Sequence, residues 1–320
     1  MCKDNLPKDG WAMTSGVVTG ISYTPTVIAS QLLSSLNLDQ TQQATLEAQL
    51  STGTLVNQPS DNPTVAGSLL ASSSSLARAQ QYASNASDAS AWLGLGTSTL
   101  NSLISTLQSA KQSVMALSGT ALANPQGAVA GTAAALKATM QQVLSLANTT
   151  YGNQAIFSGT GNVTTAYDSN GNYVGGGNAP TRTVGPGVTV SVSATGPAVF
   201  GTGTSGLLGP SGVLSKLISD VSTGTPASIN TATTTDLAAL DTAIQNVTTQ
   251  AAVLGAAYQN VQAYSTQATS VQNALQSQIS AENSVNIAQA TTALTQAQNT
   301  YQAGLWATSQ IELHSLVTYL

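Results

Sequence analysis

Beyond hydroxyls and amides, this 320-residue chain offers chemistry one histidine (His314), one cysteine (Cys2), twelve carboxylates and seven lysines or arginines. His314 falls in a C-terminal leucine heptad beside Leu313 and Leu316, and Glu312, two residues away on a helix, points elsewhere. No nucleophile, base and orienting acid therefore converge there. Asp236 and Asp241 are the closest acidic pair in the helical part; five residues apart they diverge, and both read as solvated face residues rather than a general acid and base. The string GTGTSG (201–206) has the form G-x-G-x-x-G, with Asp220 nineteen residues after Gly201, near where a dinucleotide site wants its acid. Gly209, Pro210 and Gly212 would break the helix that such a site requires, so the motif is set aside. No His, Cys, Asp or Glu cluster has metal-ligand spacing. The expectation is a protein that is not an enzyme, with no cofactor and no metal.

Two further residue classes carry weaker signals. Asn85, Asn148, Asn162 and Asn246 each begin an N-x-Ser/Thr sequon, a pattern that chance supplies in a chain so rich in these residues. Tyr82, Trp92, Tyr258, Tyr264 and Tyr301 fall on helical stripes, where an aromatic serves a core or a subunit contact.

What must position all these groups is a set of long helices. After Pro25, Ile28, Leu32, Leu36, Leu46 and Leu50 recur at helical spacing, with Asp39 and Gln43 interrupting the stripe and Gly53 as the stop. Such a narrow apolar face is weak alone and stronger when zipped to another helix. QPSDNP (58–63) predicts a break and a restart with Asp61 or Asn62 as N-cap and Pro63 at the first helical position. Leu69, Leu70, Leu76, Ala83, Ala86 and Leu93 then recur at threes and fours, and the pattern resumes through Leu100, Ile104, Leu107, Val114 and Leu117; Gly94 and Gly96 weaken it locally. Asn124-Pro125 marks a turn, followed by an amphipathic helix carrying Leu136, Met140, Val143, Leu144 and Ala147.

From Ala155 to about Pro210 the text turns glycine-rich, with an Asn-Gly turn in SNGN (169–172) and the alternating run VTVSV (188–192), which predicts a small β insertion. A short helix carries Val213, Leu214, Leu217, Ile218 and Val221, and one very long pattern runs from about Thr231 to the end. There Ile287, Leu294 and Tyr301 lie seven apart, Ala290, Ala297 and Gly304 sit between them, and Trp306, Leu313 and Leu320 continue in a shifted register. The fold class expected is mainly α: a long antiparallel helical bundle or coiled coil formed by both chain ends, with a small inserted β domain. The expected division is 21–60 with 271–320 as terminal coiled-coil helices, 61–154 with 211–270 as a helical rod, and 155–210 as the β insertion.

Composition excludes several function classes. Only 6% of residues are charged, against a usual ~25%. Seven basic side chains cannot build a stripe that neutralises several phosphates, so nucleic acid is not an expected partner, nor is an anionic membrane surface. No run of 18 or more apolar residues predicts membrane insertion. Lys3, Asp4, Lys8 and Asp9 crowd into the first 12 residues with no apolar stretch behind them, which predicts no signal peptide or lipoprotein site at Cys2. The shift in composition marks residues 1–20 as a foreign or disordered extension, with the true start at Met13 or near Val17 or Val18. The scarcity of charge also suits an acidic medium, in which amides and hydroxyls keep their state while carboxylates do not.

Several strings together resemble the bacterial flagellar hook-associated protein 3 family, the hook-filament junction proteins, relatives of flagellin. They are ISYTPTVIASQLL (21–33), LSTGTLVNQPSDNPTVAGSLL (50–70), QYASNASDASAWL (81–93), NTTYGNQAIFSGT (148–160) and ALTQAQNTYQAGLWATSQIELHSLVTYL (293–320). QPSDNP and the early helices are similar to flagellins generally, whereas IFSGT and the ending SLVTYL look like the junction proteins in particular.

The resemblance implies terminal helices that coil together inside an assembled axial structure, a helical rod and an outward β domain. It also implies type III export in an unfolded state, an export chaperone, and a ring of subunits between hook-associated protein 1 and flagellin, outside the cell on the flagellum. The residues expected at the assembly interface are Ile28, Leu32, Leu36, Leu46, Leu50, Ile287, Leu294, Tyr301, Leu305, Leu313, Leu316 and Leu320. A flagellin forming the filament itself, and more distantly a secreted hydrolase or glycan-binding protein using the β insertion, are the rival readings.

Overall fold

The structure, a computed structural model, describes residues 25–118, 125–161 and 163–317. The predicted foreign segment 1–20 and the sequon at Asn162 lie outside the described residues. Helix α1 (Pro25–Thr52) stops where Gly53 adopts a φ of +71°, a conformation open to glycine because it lacks a Cβ. Helix α2 (Pro63–Ser118) starts at a proline, and the Asn62 side-chain oxygen accepts from the Val65 N–H at 3.2 Å. Asp61 instead ties the preceding loop, its carboxylate accepting from the N–H groups of Asn57 and Gln58 at 3.0 and 2.8 Å. Helix α3 (Pro125–Ala147) follows.

The β insertion is real but sparse in strands. A two-stranded antiparallel pair joins β1 (Thr150–Tyr151) to β2 (Gln154–Ala155), and a second joins β3 (Thr181–Gly185) to β4 (Val188–Ser191). Between the pairs Asp168 organises the predicted Asn-Gly turn, its Oδ1 accepting from the N–H groups of Asn170 and Asn172. Short helix α4 (Gly196–Phe200) completes the insertion, whose centre is aromatic: Phe157 meets Phe200 edge-on at 5.5 Å, and Tyr167 meets Phe200 at 5.3 Å. Most of its backbone is held by such packing and by turns, with little ladder. The GTGTSG string falls just beyond α4, where Gly203–Ser205 makes a single 3-10 turn with no strand before it.

Helices α5 (Val213–Thr223) and α6 (Pro226–Thr231) lead into a π-helical turn, Ala232–Asp236, and then α7 (Leu237–Asn283) and α8 (Ile287–Val317). The single long helix predicted from Thr231 onward is therefore interrupted at Ser284–Asn286. The reason lies across from it: the break after α1 docks here, with Leu55 N–H donating to the Asn283 carbonyl at 2.7 Å and Val285 N–H donating to Gly53 at 3.2 Å. Asn286 then caps α8 through the Gln289 N–H at 3.2 Å.

The described residues form two compact units, one comprising those up to Leu69 together with those from Ser280, the other Leu70–Ile279. In the larger unit α2 and α7 run antiparallel: Ala79 accepts from Gln272, Gly94 meets Tyr258, Gly96 meets Leu254, and Lys111 pairs with Asp241. Buried positions recur every seventh residue, at Leu93, Leu100, Leu107 and Val114 on α2 and at Leu240, Val247, Leu254 and Val261 on α7. Leu136 and Val143 of α3 and Leu214, Leu217 and Val221 of α5 close the same core.

Three expectations are corrected here. Gly94 and Gly96 do not weaken α2, which passes through both; they are the points at which side chains of α7 approach, a Cβ on Gly96 falling 3.3 Å from Leu254. Leu70 stands exposed, because the buried register of α2 begins at Ser72 and Ala79. Asp236 is no solvated face residue: it lies four residues before Leu240 and seven before Ala243, on the buried stripe of α7, and only 6% of it remains exposed. Asp241 faces α2 and pairs with Lys111 at 2.6 Å.

Candidate assembly interface

In the smaller unit α1 and α8 pack antiparallel, and their sequences show why. On α1 the sheltered positions include Leu32, Leu36, Asp39, Gln43, Leu46 and Leu50, an alternation of threes and fours that is a heptad seam, flanked by Thr45 and Gln49. Those of α8 include Ala290, Leu294, Ala297, Tyr301, Gly304 and Thr308, in the same alternation, flanked by Ala293. Large residues meet small ones across the seam. Leu36 is buried against Gly304, and the Gln43 amide donates to the carbonyl of Ala297 at 3.0 Å. Continuing that register puts Leu50 opposite Ala290.

Gln43, which breaks the hydrophobic pattern, thus occupies a seam position. A polar group there must find a partner, and a side-chain bond to one particular carbonyl holds only in one register. Asp39 and Gln43 leave the seam short of apolar contact. Pairing of α1 with α8 alone therefore covers a modest apolar area, and burial contributes only about 25 cal/mol per Å².

The predicted interface residues divide into groups. Leu36 is buried, and Leu32, Leu46, Leu50, Leu294 and Tyr301 are half-buried on the facing stripes. Ile28, Ile287 and Leu305 are exposed, Ile287 by 64%. Ile287 keeps the heptad phase but is the first residue of its helix, and Leu305 sits one position beyond the stripe that runs through Gly304. The side chains of Leu313 and Leu316, like that of His314, and all of Leu320 lie outside the described residues. Leu33, Leu38 and Trp306, absent from the predicted set, are exposed by 59%, 70% and 71%. The sequence signal for Leu33 and Leu38 was size alone, since they stand off the period that identifies the seam, whereas Trp306 lies on the shifted register it shares with Leu313 and Leu320. Each helix thus keeps exposed apolar side chains besides those it spends on its neighbour.

In the larger unit, asparagines tie the insertion to the helices. Asn85 of α2 donates to the Thr183 carbonyl at 2.8 Å, and Asn246 of α7 donates to the carbonyls of Ala198 and Val199 at 3.0 and 3.1 Å. The side-chain oxygen of Asn148 accepts from the N–H groups of Ala166 and Tyr167 at 2.8 and 2.9 Å. Three sequon asparagines are thereby tertiary clamps. Arg182 of β3 adds an ion pair to Asp88 at 2.8 Å while its guanidinium lies 5.8 Å over the ring of Trp92.

Among the described residues no group of three or more His, Cys, Asp or Glu could hold a metal ion, and no helix is long and apolar enough to cross a membrane.

Comparison with known proteins follows the same outline. The bacterial flagellin N-terminal helical region matches residues 25–162, and the bacterial flagellin C-terminal helical region matches residues 237–320. Flagellar hook-associated protein 3 of Salmonella typhimurium is 29% identical over 177 residues, 55% of each chain. The protein of the same name from Escherichia coli K12 is 30% identical over 154 residues, 48% of each chain. The chain spans about half the length of the curated relatives it matches. Among solved structures, FlgL of Bacillus cereus shares the fold with a TM-score of 0.55 and 19% identity, over 66% of this chain and 99% of that one.

Proposed function

Because the chain belongs to the bacterial flagellin family, with both terminal helical regions of that family, we propose that it is a structural subunit of the flagellum that joins the hook to the filament. The observation that carries this is the name shared by its two matched relatives, flagellar hook-associated protein 3, combined with a terminal helix pair that keeps large apolar side chains exposed. The protein works by assembly and catalyses no reaction.

In this account α1 and α8 are the assembling part, α2, α3, α5 and α7 the rod, and residues 155–210 the outward insertion. Further copies of the chain cover Ile28, Ile287, Leu305 and Trp306 in a ring, together with the last leucines of the chain. Hook-associated protein 1 lies on one side of that ring and flagellin on the other, and an export chaperone holds the terminal helices before secretion through the type III apparatus. Each buried apolar edge contributes only on assembly, which suits a subunit that must travel unassembled.

Electron microscopy of cells lacking the gene, with the medium probed for flagellin, tests the role. Hooks without filaments and flagellin lost to the medium are expected. Bare hooks without spilled flagellin would make this chain the filament protein itself, and normal flagella would reject both readings.

A further inference from the structure

Where the π turn meets α5, two carboxyl groups face each other in a place that has no use for two negative charges. Asp236, the last residue of the turn, is 6% exposed, and no donor among the described residues reaches its Oδ2. Its neighbour from α5 is another acid, Asp220, within hydrogen-bonding contact. Ionised carboxylates only accept, so the contact becomes a hydrogen bond when one of the two holds a proton. Asp236 stands on the buried stripe that continues through Leu240, Ala243 and Val247 of α7, at the point where the π turn packs on α5.

We propose that Asp236 holds a proton that it donates in a hydrogen bond to Asp220, an acid-tightened latch between the π turn and α5. The charged groups around it are few. On α5, Lys216 stands one turn before Asp220 and opposes protonation; α6 carries no titratable side chain. On α7 the nearest acid, Asp241, is engaged by Lys111 of α2, and Lys137 of α3 lines a separate cleft with Ser222 and Gly224. Burial, then the hydrogen bond and the charge of Asp220, push the Asp236 carboxyl up to about 6 from an ordinary 3.8.

The direction of the effect follows from linkage. A carboxyl raised in the folded state binds its proton more tightly there than in the unfolded chain, so stability falls as pH rises from about 4 to about 6 and is flat above. Acidification from pH 7 to pH 5 therefore tightens this part of the fold, opposite to the loss expected of carboxylates held by cations. The latch is independent of the junction role, since it concerns the larger unit alone.

Thermal unfolding of the full chain at pH 7 and pH 5 tests it, alongside Asp236→Asn and Asp220→Asn. The wild type is expected to gain about 4 °C on acidification. Asp236→Asn, which keeps the shape without the charge, should melt higher than wild type at pH 7 and lose the gain; Asp220→Asn should shrink it. An unchanged gain in both variants, or a wild-type loss on acidification, overturns the proposal. Should Asp236→Asn fail to melt cooperatively, titration of aspartate-labelled wild type by carbon NMR decides: one carboxyl with a midpoint above pH 5 supports the latch, and all midpoints below it reject it.

Discussion

Leu36 lies directly over the bare Cα of Gly304: a Cβ placed on that glycine would come within 2.8 Å of Leu36 Cδ2. The contact is with the far end of a flexible side chain, so the size of the added group decides the outcome. Alanine gains up to about 1 kcal/mol of helix propensity over glycine, which offsets the rotation it asks of Leu36. Valine adds branching that the seam has no room for, at about 1–3 kcal/mol.

Gly304→Ala should accordingly leave the helical circular dichroism and its melt nearly unchanged, while Gly304→Val should lower the melting of the α1–α8 pair. Adding Leu36→Ala to Gly304→Val should recover part of the loss, because the two side chains compete for one space. Equal melts for Gly304→Ala and Gly304→Val would contradict this packing.

The exposed apolar side chains of α8 make a separate prediction. Ile287 and Trp306 stand 64% and 71% exposed, so replacing both by aspartate should change folding stability by no more than about 0.5 kcal/mol per site. Incorporation into flagella should nevertheless drop sharply, because charge would be buried against a neighbouring copy. The readouts are the circular dichroism melt of the purified variant and motility of cells carrying it. Wild-type motility would show that these two side chains are not part of the assembled interface.

Arg182 holds β3 to α2 by two means at once, the ion pair to Asp88 and the position over Trp92. Both groups of the ion pair are more than a third exposed, which limits that part to about 0–1 kcal/mol. The stacked guanidinium adds about 0.5–1 kcal/mol. Arg182→Ala should therefore cost about 1 kcal/mol, and Arg182→Lys should recover less than half, since an ammonium lacks the flat face. Full recovery by lysine in a denaturant titration would remove the stacking argument.

Asn246 bonds two carbonyls of α4 from the side of α7. Asn246→Ala leaves those carbonyls without that donor and should cost about 1–3 kcal/mol. Amide hydrogen exchange should quicken around Gly196–Phe200 while the core of α7 near Leu254 keeps its protection. Uniform acceleration across both would mean that the asparagine supports the whole rod and not the insertion.

Much of this molecule was legible in its residues one helix at a time. Pro25, Gly53, Asn62 and Pro63 mark helix ends because each acts on the backbone within a turn of itself, and the Asn-Gly turn near Asp168 is equally local. The heptads at both ends announce a paired seam, since spacing along one helix survives whatever the partner is. Poverty in charge, with one histidine and one cysteine, is equally plain in the residues and leaves few side chains from which a reactive site could be built.

Tertiary structure decided the rest, for reasons that depend on distant residues. The break at Ser284–Asn286 exists because Gly53 and Leu55 bond to it, and those partners lie more than two hundred residues away. Gly94 and Gly96 read as weak points until the side chains of α7 are seen to fill the space they leave. Asp236 shares its helical phase with Leu240 and Ala243, yet only the arrival of α5 turns a solitary acid into half of a pair. Periodicity reports which face of a helix is apolar; which neighbour covers it, and which edge stays bare, is fixed by packing between segments that sequence order does not bring together.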